Sequence, residues 1–204
     1  MEIALAHGFG YGCRSDDYRA LAPLVFADLN WKAPDWVRHA AFVEKHRPQF
    51  AVAPDVLALD DLTATVRYAE RLAQWAERII IVPKIAGMME ALSAAREPWM
   101  VIGYSVPTAY GGADALLMWE MAGWPVHLLG GTPQKQMLLA HYLNVVSADG
   151  NAASGAARHG VYWSAGHWVT RDRNLPKGPD LPYRAFERSC SNIVQAWQVL
   201  TGGA

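Results

Sequence analysis

Several things are scarce in this chain of 204 residues, and each scarcity excludes something. Its two cysteines, Cys13 and Cys190, lie far apart and form no CxxC pair, so neither a disulfide framework nor a structural zinc site is expected. Reduced thiols in a cytoplasmic protein are the simple reading. Charged residues make up 18% of the chain and the formal net charge is −1, so no global basic field draws nucleic acid, and only a local patch can. No apolar run approaches the ~20 residues that span a bilayer. The start, Met1 to His7, reads as too short and too uncharged for a signal peptide. The seven histidines show no metal-ligand spacing, and HExxH, P-loop and GxSxG motifs are missing. No metal and no other cofactor is expected.

What is present is apolar: 52% of residues are hydrophobic and nine are tryptophan, which is globular composition with enough chain for one domain and a sizeable core. The most informative stretch is Val126-His127-Leu128-Leu129-Gly130-Gly131-Thr132-Pro133, running on to Asn144-Val145-Val146-Ser147-Ala148-Asp149. Two apolar runs end in small or polar residues, and a helix-length segment, Gln134 to Tyr142, joins them. This is strand, loop, helix, strand, with an acid at the second strand's end. Earlier runs repeat the theme at Ile3–Ala6, Leu24–Ala27, Phe50–Ala53, Ile79–Val82 and Trp99–Ile102, and Val161–Trp163 follows. Helices are predicted from Asp35 to His46, Asp60 to Glu77, Met88 to Arg96, Ala113 to Met121 and Ala152 to Arg158. Eight strands with helices in most gaps predict a compact (β/α)8 TIM-like barrel, a single domain over residues 1–204, shorter than the usual ~250. A doubly wound open sheet is the rival. Residues 170–204 supply a Pro- and Gly-rich loop and a closing amphipathic helix from Tyr183 to Leu200.

In a parallel α/β protein the chemistry sits at the C-terminal ends of strands. Those ends carry Asp28, Asp55, Lys84, Gly103-Tyr104, Gly130-Gly131 and Asp149. A lone acid there is often only a helix cap. Three acids that a closed barrel would bring to one face suggest more. Breaking a base from a sugar passes through an oxocarbenium-like state at C1′, which a carboxylate stabilises or captures, while a second group protonates the departing base. Asp149 suits the first task and Asp28 the second.

Leu128-Leu129-Gly130-Gly131-Thr132-Pro133 resembles the Leu-Met-Gly-x-Gly-Thr-Pro loop of the tRNA-guanine transglycosylase family. Asp149 falls where that family carries its nucleophilic aspartate, and Arg158-His159-Gly160 follows at the spacing of the family's Arg-Asn-Gly. The resemblance covers roughly residues 24 to 160 and is closest in style to the compact branch that inserts deazaguanine bases into DNA. It implies a general acid/base role for Asp28 and purine-edge recognition by Asp55. It further implies base contacts from the backbone around Gly103 and Tyr104, and from the Gly130-Gly131 loop. The chain departs from the family pattern in three places. Asp28-Leu29-Asn30-Trp31 stands for Asp-Ser-Gly-Gly, Lys84, a base-binding candidate, replaces the family's Gln-Gly-Gly loop, and the zinc-binding cysteines are missing.

A base in a duplex must be flipped out against a stacking wall, for which Trp31, Tyr104, Tyr110 and Trp163 are candidates. Arg171, Arg173, Lys177, Arg184 and Arg188, interleaved with Tyr183 and Phe186, form a candidate phosphate-binding segment that Arg158 and Lys32 can join. The expectation is an enzyme acting on the N-glycosidic bond of a nucleobase, by excision or by exchange, with DNA preferred to tRNA. Removal of modified bases from foreign DNA would suit excision. Two alternatives stand beside it: a non-catalytic nucleic-acid-binding barrel whose acids are caps, and a small-molecule barrel enzyme that holds phosphate at Gly130-Gly131-Thr132.

Overall fold

The computed structural model describes residues 1–19, 21–107, 116–170, 172, 175 and 177–202. Seven parallel strands make one sheet: β1 (Tyr11–Arg14), β2 (Leu24–Asp28), β3 (Phe50–Val52), β4 (Arg78–Ile81), β5 (Met100–Ser105), β6 (Val126–Leu129) and β7 (Val145–Ala148). They neighbour one another in chain order, with no reversal. A doubly wound sheet needs a reversal at its switch point, so that rival is set aside.

The sheet is curled. Phe26 on β2 stacks on His127 of β6 with ring centroids 5.0 Å apart and planes 12° from parallel. Four strand spacings of about 4.8 Å would separate β2 from β6 in a flat sheet. The contact therefore requires the sheet to bend round into a half-barrel. Its concave side is lined by Val52, Ile80, Val82 and Val101 with Phe26, Phe50 and Leu129 packed on them. The convex side carries the main core, where Ile79, Ile81, Met100, Ile102, Val126 and Leu128 meet the helices. The two lists alternate along each strand, as period-2 side chains must.

The helices that follow the strands are α2 (Trp36–His46), α3 (Asp61–Leu72), α4 (Met88–Ala94), α5 (Pro133–Ala140) and α6 (Ala152–Ala157), with a 3₁₀ turn at Met118–Met121. In α2, Asp35 caps the first turn by accepting from the Arg38 amide, and His39, Ala40, Phe42 and Val43 face the sheet. α5 starts where Thr132 accepts from the Lys135 amide with Pro133 at the first helical position.

The expected eight-stranded closure is not what the ends of the chain provide. Glu2–Ala6, expected in part as the first strand, is helix α1 and buries no residue. Alanine and leucine favour helix, and no neighbouring strand is offered to these residues. The first strand position belongs instead to Tyr11–Arg14. The expected eighth strand exists as β8 (Tyr162–Ser164), but it pairs antiparallel with β9 (His167–Val169) in a separate two-stranded sheet. The long helix α7 (Leu181–Leu200) packs on α1, which precedes β1, and on α6 and β8, which follow β7. It thus bridges the chain segments at the two edges of the half-barrel. The predicted helix from Ala113 to Met121 lies partly outside the described residues, and its described end is the 3₁₀ turn. No helix among the described residues is long and apolar enough to cross a membrane.

Candidate active site

Polar groups collect on the concave face toward the C-terminal ends of the strands. Asp28 stands two residues beyond Phe26, Ser105 two beyond Gly103, and Ser147 pairs in register with His127. Asp55 and Lys84 each stand three residues past the ends of β3 and β4, and Asp149 follows β7 directly. Burial raises the Asp28 carboxyl from 3.8 to about 7. The charges of Asp149 and, more weakly, Asp55 push the same way, against the Leu29 amide and Arg14. Asp28 therefore senses both of the other acids across the mouth of the half-barrel, as the curl of the sheet requires. Burial also raises the Asp55 carboxyl, and the Lys84 ammonium 3.7 Å away opposes it. Lys84 donates to the Ser105 hydroxyl as well, so it ties β4 to β5 at the rim.

Asp149 is held by its neighbours. Its Oδ1 accepts from the Gly130 amide at 2.6 Å, and its backbone carbonyl accepts from Gln136 at 2.6 Å. The same Gln136 amide donates to the Gly130 carbonyl at 2.8 Å. One side chain on α5 thus clamps the loops after β6 and β7 together. Gly131 adopts φ +86°, and a Cβ there would stand 2.6 Å from Val106, so glycine is required. None of the three acids caps a helix. Asp28 accepts from its neighbour Leu29, Asp55 pairs with Lys84, and α6 begins at Asn151 without a side-chain cap.

The sequence-derived candidates fare unevenly. Asp28, Asp55, Lys84 and Asp149 come together. Gly130 orients Asp149, so its amide is committed within the protein. Gly103 is part of the concave floor of the half-barrel, where a Cβ would meet Ile80 at 2.7 Å and Val82 at 2.8 Å. Tyr104 is buried in the convex core and Trp163 is buried beside α7, so neither ring is a stacking wall. Trp31, in the loop after β2, is 69% exposed with the Lys32 ammonium 5.2 Å from its ring. Tyr110, Arg171 and Arg173 lie outside the described residues. Arg158, Lys177 and Arg184 are exposed. Arg188 is bound to Asp172 at 2.7 Å and lies over Tyr162, so it is committed within the protein rather than to phosphate. A cavity of about 590 Å3 between α5, the β8–β9 hairpin and α7, lined by Met137, His141, Trp163 and Asn192 among others, carries no carboxylate.

Three residues of the site escaped the sequence reading: His127, Ser105 and Gln136. His127 had a signal, because a lone polar residue between Val126 and Leu128 must point to the opposite face from both. Among the described residues no group of three His, Cys, Asp or Glu is arranged to hold a metal ion.

A family model described as "Family of unknown function (DUF6610)" matches residues 4–198. No curated protein matches the chain.

Proposed function

This chain belongs to the DUF6610 family, and from its own geometry we propose that the barrel mouth is the active site of a cytoplasmic enzyme that breaks the N-glycosidic bond of a nucleobase in DNA. The observation that carries this reading is the Asp28 carboxyl, raised to about 7 beside Asp149. It is a group that still holds a proton at neutral pH, next to a second carboxylate fixed by the Gly130 amide. Pairs of acids with different surroundings divide acid and nucleophile work in this way.

An Asp149 oxygen attacks C1′ as the bond from C1′ to the base nitrogen breaks. Asp28 gives its proton to the departing base. Water then attacks C1′, Asp28 takes the proton, and Asp149 leaves, which is excision. An incoming base in place of water gives exchange. Asp55 and Lys84 lie beside this pair and suit recognition of the base edge. Trp31 and Lys32 offer a stacking face and a cation at the rim, with exposed Lys177, Arg184 and Arg158 for phosphates. DNA is preferred to tRNA because the zinc-bearing element of the resembled tRNA enzymes is missing from the sequence.

The phosphate-binding alternative loses one of its donors. The Gly130 amide serves Asp149 and the Lys135 amide serves Thr132. The test is mass spectrometry of nucleosides and free bases after incubating the protein with modified DNA, unmodified DNA and tRNA. Release or replacement of a base in DNA is expected. Intact nucleosides in every sample would overturn the reading.

A further inference from the structure

His127 lies at the centre of the half-barrel with 2% of its side chain exposed. Its ring is stacked on Phe26 and touches Phe50, with centroids 6.3 Å apart, so flanking aromatics hold its plane. Nδ1 is 2.8 Å from the Ser147 hydroxyl. Nε2 is buried without a hydrogen-bond partner and stands 3.8 Å from Asp149 Oδ1. A buried polar nitrogen left unpaired is costly, and here it is aimed at the carboxylate assigned to the reaction.

We propose that His127 is a positioning residue for Asp149. The Ser147 hydroxyl donates to Nδ1, so the neutral ring keeps its proton on Nε2 and presents it to Asp149 Oδ1. The other tautomer would set a nitrogen lone pair against a carboxylate oxygen. The Gly130 N–H and the His127 N–H then address the same oxygen. Oδ2 is left to meet the sugar carbon. The 3.8 Å gap closes when the carboxylate advances or turns slightly, so the contact strengthens as the acid is drawn toward its work. This assignment rests on Asp149 being the group that faces C1′, but its tautomer is testable without any substrate.

The experiment has two arms. Long-range proton–nitrogen NMR on the full chain at pH 8 reads the tautomer of His127. Protonated Nε2 with unprotonated Nδ1 is expected, and protonation of Nδ1 alone would overturn the proposal. In the second arm, base release from DNA is measured for His127→Gln and His127→Phe. The Phe variant is expected to lose about 10- to 100-fold in kcat with KM little changed, since misplacing a reacting group by about 1 Å costs on that scale. The Gln variant, which keeps an N–H donor, should recover much of that loss. Equal losses in both variants would overturn positioning. If wild type itself releases no base while the tautomer is as expected, the functional reading fails and the His127–Ser147 device stands.

Discussion

At the scale of single residues, Asp28 is where pH acts on this protein. Its carboxyl titrates near 7 in the fold against 3.8 when free. Because the folded value is raised, the stability it contributes is fully present below about pH 4 and is lost as pH rises through 7. At 1.36 kcal/mol per unit the full effect is on the order of 4 kcal/mol, and the Asp149 charge supplies part of it. Asp28→Asn should therefore match wild type in urea unfolding at pH 3. At pH 8 it should exceed wild type by on the order of 2–4 kcal/mol. Identical pH profiles would show that Asp28 is not held neutral. If the same proton is the one given to the departing base, kcat/KM should fall tenfold per pH unit above about 7, and Asp28→Asn should remove that limb. Lys84→Met leaves a half-buried Asp55 without its cation, so the Asp55 carboxyl should rise further, read by carboxyl NMR. A fall would contradict the pairing. The strand-end acids were legible in the sequence because each closes an apolar run. The role of His127 was not, because its partners Phe26 and Phe50 are brought to it by the curl of the sheet from β2 and β3.

At the scale of elements, β2 to β7 are legible because each is a short, mostly apolar run bounded by turn residues. The ends of the chain are not. Tyr11–Arg14 holds a glycine and an arginine in four residues, which hides it, and it is specified by pairing with β2. Tyr162–Ser164 reads correctly as a strand, but the turn after it decides its partner. Ala165 at φ 46° and Gly166 at φ 85° form the two-residue link of a hairpin, which needs positive φ at both positions. An alanine there is strained, since left-handed backbone costs a non-glycine residue roughly 1–2 kcal/mol. Ala165→Asn gives the preferred Asn-Gly pair and should stabilise the protein by about 0.5–1 kcal/mol in thermal unfolding. A loss of stability would mean the hairpin is not built this way. In the opposite direction, Gly131→Ala combines positive φ with a contact 2.6 Å from Val106 and should destabilise by about 1–3 kcal/mol.

At the scale of the whole molecule, a net charge of −1 leaves attraction for DNA to local cations. If about three to five of the exposed cations reach phosphates, log affinity falls with log salt at roughly −0.9 per contact. Replacing Lys177 and Arg184 by Gln should flatten that slope by up to about two units, with a similar loss on all sequences. An unchanged slope would remove this face from the interface. The curled sheet brings Asp28 and Asp149, from strands at its two sides, into one coupled acid pair. Titration of the Asp28 carboxyl by carbon NMR, in wild type and in Asp149→Asn, tests it most directly. A wild-type midpoint of about 7 that moves downward in Asp149→Asn is the predicted result. A wild-type midpoint near 3.8, or one that Asp149→Asn leaves in place, would contradict it.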